Sequence, residues 1–157
     1  MKKILNLLFK IWELPQNILG YFMSRLWKKR LIILTQKELE YLYGLENLTG
    51  FKIYVADYYS QKADKLLSEL SGFSLGKYVC LNSAHNLTTL RHEKGHSKQS
   101  KMLGWAYLPV IGIYSAVFCN LWNRWFHKSW TSTQRKKWYY SRWCEAWADK
   151  LGGVVRF

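Results

Sequence analysis

From Leu103 to Trp122 the chain runs LGWAYLPVIGIYSAVFCNLW, twenty consecutive residues without a charge. As a helix that is just long enough to span a bilayer. Pro109, Gly104, Gly112 and Asn120 interrupt it. Three arrangements stay open: a buried or interfacial hairpin, a transmembrane span at 103–122, or an ordinary core helix.

The remainder of the chain bears on that choice. Its 157 residues are enough for one domain with a real core. Lysine and arginine outnumber aspartate and glutamate 24 to 10, and 17% of residues are aromatic. Such a balance favours a polyanionic neighbour. An anionic membrane surface fits, because tryptophan and tyrosine beside lysine suit the headgroup zone. Single-stranded nucleic acid offers similar stacking, so composition leaves both open. The three cysteines, Cys80, Cys119 and Cys144, are widely spaced and odd in number. They read as free thiols and small buried hydrophobes, not as a disulfide framework.

The opening MKKILNLLFKIW imitates a secretory signal, but Lys10 and Glu13 break its apolar run and no small-residue cleavage site follows. Apolar residues at Ile4, Leu7, Leu8, Ile11 and Trp12 follow the pattern of an amphipathic helix. Pro15 can begin a second helix, which ends in the cluster Lys28-Lys29-Arg30. Residues 1–30 are read as a basic helical segment that either anchors to a membrane interface or packs on the core. Residues 31–157 then form the main domain.

Strands are expected at 31–35, 51–56 and 75–82, and helices at 35–43, after a Thr35–Glu38 capping box, and at 60–70. Asn86 or Thr88 can cap a helix that stops near Gly104. A final helix closes at Gly152-Gly153. The fold class expected is α+β, mostly helical, with a small sheet before the helix at 88–104. Localisation is expected to be cytoplasmic or peripheral to a membrane.

That helix contains LRHEKGHSKQS, residues 90–100. Positions i and i+4 share a helical face, so His92 and His96 can ligate one zinc ion. Glu93 points roughly 100° away from His92 and is placed to act on a water as general base. With four histidines in the chain, a chance His-Glu-x-x-His is uncommon. A further histidine at position 102 is ruled out, since Met102 stands there. Downstream of His96 the acidic residues are Glu145 and Asp149, one turn apart. Glu145 as third ligand, with Asp149 hydrogen-bonding a ligand histidine, completes a His₂Glu set. His127 reads as a packing residue and His85 as a loop or cap residue.

HEKGH followed by EAWAD resembles the zincin metallopeptidases of the gluzincin branch. The apolar stretch between the motifs looks like that of membrane-associated gluzincins, and GHSKQSKMLGW with WADKLGG is similar to small bacterial zincin-like proteins. The resemblance covers roughly residues 75–153. It implies a zinc-dependent metallopeptidase with His92, His96 and Glu145 on the metal, Glu93 as base and Asp149 in support. It also implies that 75–82 is an edge strand, able to bind a peptide or protein substrate by strand addition. The oxyanion donor would come from Tyr139, Tyr140 or His127. Two alternatives stand beside this: a non-catalytic, membrane-associated zinc protein, and a basic nucleic-acid-binding protein, the least favoured of the three.

Overall fold

In a computed structural model of the chain, residues 7–8, 11–28, 31–33, 52–56, 72–81 and 87–156 are described. The helices expected at 35–43 and 60–70, and His85 and Asn86, lie outside these residues.

Helix α1 (Leu14–Lys28) carries Pro15 in its first turn, where a missing N–H is harmless. Strands β1 (Leu31–Ile33), β2 (Lys52–Ala56), β3 (Gly72–Leu75) and β4 (Tyr78–Leu81) form one sheet in the order β1-β2-β4-β3. β2 and β4 run parallel, while β1 and β3 are antiparallel to their neighbours. The architecture is α+β, with helices dominating the described residues and one small sheet.

The strand expected at 75–82 is in fact divided. Leu75 pairs with Tyr78 across a two-residue turn, and Gly76 takes φ 59°, a conformation few other residues adopt. Lys77 N–H then donates to Asn17 Oδ1 on α1 at 3.0 Å. β4 is flanked by β2 and β3, so it is not the sheet edge; β3 is.

Helix α1 covers one face of the sheet. Gly20 sits against Leu75 and Tyr78 with no room for a side chain, and Tyr21 meets the Tyr78 ring edge-on at 6.3 Å. Helix α2 (Leu87–Leu103) covers the other face, where the Ser74 and Ser97 hydroxyls share a hydrogen bond. Sandwiched between two layers, β4 is buried at every position. Thr88 lies within the first turn of α2, not ahead of it.

Gly104, at φ 53°, ends α2 and starts a short 3₁₀ turn (Gly104–Ala106). Helix α3 (Leu108–Phe126) leaves at a bend of 120°. Pro109 falls in its first turn, and π-type turns occupy Leu108–Gly112 and Ser115–Trp122. No single helix among the described residues is long and apolar enough to cross a membrane. Helix α4 (Ser132–Tyr140) begins at a Thr131–Gln134 capping box. Helix α5 (Trp143–Gly152) ends at Gly153, φ 70°.

The N-terminal segment is stitched to the bend. Trp12 Nε1 donates to Lys101 O at 3.1 Å, Trp105 Nε1 to Ile11 O at 2.8 Å, and Gln16 Nε2 to Gly104 O at 2.8 Å. The last of these adds a second donor to a carbonyl that also accepts from the Tyr107 N–H. Ser100 Oγ donates to Glu13 Oε1 at 2.8 Å, and burial raises the pKa of that carboxyl.

Candidate metal centre

Helices α2 and α5 meet backbone to backbone. A Cβ on Gly95 would run into the Ala148 carbonyl, and one on Gly152 into the Arg91 carbonyl. This close approach brings the histidine face of α2 against the Glu145 and Asp149 face of α5.

His92 Nε2 lies 3.0 Å and His96 Nε2 3.2 Å from the same atom, Glu145 Oε2. His92 Nδ1–H donates to Asp149 Oδ1 at 2.7 Å, and His96 Nδ1–H donates to Gln99 Oε1 at 2.8 Å. Gln99 is itself held by Nε2 donating to Cys144 O at 2.8 Å. With each Nδ1 proton fixed in this way, each neutral ring turns an Nε2 lone pair toward a carboxylate oxygen. Three acceptor atoms therefore converge on one point, and such a set needs a cation, either a proton or a metal ion. His92, His96 and Glu145 form a buried group that could hold a metal ion. Tetrahedral bonds of 2.0–2.1 Å would separate the donors by roughly 3.3 Å, close to the spacings found.

The electrostatics follow from burial and pairing. Burial alone would lower the His92 pKa, but hydrogen bonds to Asp149 and Glu145 carry it up to about 9. Burial would raise Glu145, yet the two imidazoles hold it well below the usual carboxylate range. Asp149 is depressed in the same manner by His92 and by Arg156, whose Nε donates to Oδ2 at 2.7 Å. Glu93 behaves oppositely: burial raises its pKa. Its Oε2 has no hydrogen-bond partner among the described residues, a costly state for a buried acceptor. Its Oε1 faces Gly72, where an added Cβ would come within 3.2 Å. A donor presented by a metal-bound group would satisfy this orphan, so the residues fit a metal ion.

All five residues picked from sequence are buried, and four of them are joined by the contacts above. His127 is elsewhere, bonded to Asn123 Oδ1 at 3.0 Å and stacked on Trp130 at 3.8 Å. Of the aromatic candidates, the Tyr140 ring lies 5.2 Å edge-on from His92, with the Arg156 guanidinium 3.4 Å above it. Tyr139 bonds to Ser115, and burial raises both phenols, so each stays a protonated donor.

Sequence reasoning missed Gln99, Ser115, Gly95 and Arg156. The His96–Gln99 spacing, i to i+3, was a readable signal for the first. Ser115 Oγ donates to Glu145 Oε1 across thirty positions, which no local pattern announces. Cys119 and Cys144 are free thiols, 3.8 Å apart, and Cys144 Sγ lies 3.5 Å from Glu145 Oε1. The hydrogen bond with Cys119, then burial, keep the Cys144 thiol protonated.

Comparison with protein-family models, with curated proteins and with solved structures finds no match for the chain.

Proposed function

We propose that the protein is a zinc-dependent metallopeptidase of gluzincin type, with His92, His96 and Glu145 as metal ligands. What carries this reading is the convergence of three acceptor atoms beside Glu93, a buried carboxylate with an unpartnered oxygen. The order of the motifs along the chain, HEKGH then EAWAD, supports the same assignment. Zinc is favoured over harder ions because two imidazoles and one carboxylate suit it.

When bound, the ion would supply Lewis acidity and lower the pKa of a water toward 7. Glu93 would then carry the proton, accepting it on its unpartnered Oε2 and releasing it to a leaving amine; its raised pKa suits both halves of the task. Asp149 and Gln99 hold the imidazoles in the tautomer that leaves both Nε2 atoms free to ligate. Tyr140, whose ring packs edge-on against His92, is the phenol assigned as donor for an oxyanion, since Tyr139 is already bonded to Ser115. Strand addition along β4 is not available, since both of its sides are paired. On β3, the Ser74 carbonyl already accepts from Tyr107 Oη at 3.2 Å.

The burial of the whole group favours one second reading, a zinc site kept for stability. Elemental analysis of the purified chain beside Glu145→Ala tests the site: one zinc per chain, lost in the variant, is expected. A peptidase assay of Glu93→Gln then separates the readings. Zinc retained with cleavage abolished supports the enzyme. A chain that holds zinc yet cleaves no peptide in wild type supports the stability role.

A further inference from the structure

Helix α1 turns Leu14, Ile18 and Phe22 to solvent, 47%, 49% and 59% exposed, and Ile11 continues the row ahead of it. These positions recur every three or four residues, so they form one stripe along the helix. On α3, Ile113, Val117, Leu121 and Trp125 form a second stripe, and Trp125 is 68% exposed. The first stripe begins at the turn that leads into α3, where Trp105 Nε1 bonds to Ile11 O and Trp12 Nε1 to Lys101 O. Exposed apolar surface this extensive is unusual for a soluble monomer.

Charge says what covers it. From Lys94 to Cys144 the chain has nine lysines and arginines and no acidic residue. Glu13, the acidic residue next to α1, is buried. Each stripe runs into basic groups at its C-terminal end: Arg25 on α1, and Arg124 on α3 with Lys128 two residues past the helix end. Trp122, Trp125 and Phe126 stand among the latter, half or more exposed or nearly so. Apolar stripes ending in arginine, lysine and tryptophan match the acyl-to-headgroup boundary.

We infer that α1 and α3 together form a monotopic docking surface for an anionic lipid bilayer, lying in one leaflet without crossing it. The same helix that gives Ser115 to Glu145 on its inner side presents Ile113 and Val117 on its outer side. The candidate metal centre thus sits one helix thickness beneath the lipid.

Flotation of the purified full chain with vesicles tests this, using phosphatidylcholine alone or with about one third phosphatidylglycerol. Binding at least about tenfold stronger to the anionic vesicles is expected, weakened but not abolished near 1 M salt. Ile18→Glu with Ile113→Glu should lower it at least about tenfold, with metal content and melting temperature unchanged. Wild type should bind vesicles equally with chelator and with zinc, so failure of the metal reading and failure of this one are separable. No vesicle binding, or equal binding by the double variant, overturns the inference. So does a chain that resists alkaline carbonate extraction, which indicates a span. Self-association abolished by the same double variant, with no lipid preference, assigns the surface to a second copy instead.

Discussion

Helix α2 buries His92, Glu93, His96, Ser97, Gln99 and Ser100, and Leu90 is the one large apolar side chain at its buried positions. Helix α3 does the reverse, turning Ile113, Val117, Leu121 and Trp125 outward. A buried helix is ordinarily apolar all round, and an exposed face is ordinarily polar. Both departures have a cost unless something else is bound: a cation for the acceptors gathered inside, and an apolar phase for the stripes outside. The polar interior is also cross-linked by side-chain hydrogen bonds, whereas the stripes outside face solvent. Substitutions should therefore weigh heavily in the first region and lightly in the second.

Glu145→Ala should break the interior most severely. It leaves two imidazoles facing an empty position, and stability should fall by roughly 3–5 kcal/mol, with zinc stoichiometry near zero. Chemical denaturation and elemental analysis check the two effects. Gly95→Val comes next. Its side chain would push against the Ala148 backbone and separate α2 from α5, at a cost of about 3 kcal/mol, read by the same denaturation series. Gln99→Ala frees the His96 ring and should weaken zinc binding roughly 10–100-fold in competition with a chelator.

Acidity sharpens the contrast further. With its folded pKa raised to about 9 from 6.5, His92 stabilises the metal-free chain fully below pH 6.5. That contribution is lost as pH rises through about 9. Zinc displaces the same proton, so the metal-loaded chain should escape the loss and bind its ion more tightly as pH rises. Melting curves across this range, with chelator and with zinc, should diverge; parallel curves would remove the metal from the account. The exterior should respond least: Ile113→Ser should change stability by no more than about 0.5 kcal/mol. A larger loss would mean that the α3 stripe packs against protein.

The legible part of the site was what helical periodicity exposes. His92 and His96, and then Glu145 and Asp149, each share a face, and two faces carrying complementary ligands imply a meeting of helices. The partners that cross between distant elements were not legible. Ser115 reaches Glu145, and Gln99 reaches the Cys144 carbonyl, through packing that only the bend at Gly104 and the contact at Gly95 create. In the sheet, KIYVA showed itself by its β-branched and aromatic residues, and β2 occupies Lys52–Ala56. LGKYVCLN hid a hairpin, because the turn at Gly76 is announced by one glycine inside an otherwise strand-like run.

The tie between Trp12 and Lys101 spans 89 positions, and that between Gln16 and Gly104 spans 88. Chains emerge from synthesis N-terminus first, at about 5–20 residues per second. The side chains that close the end of α2 are therefore made several seconds before the carbonyls they bind. During that wait α1 has an apolar face and no finished core to rest on. A helix that meets lipid first and its own fold second would have the membrane as the template on which its ion-binding interior is later assembled.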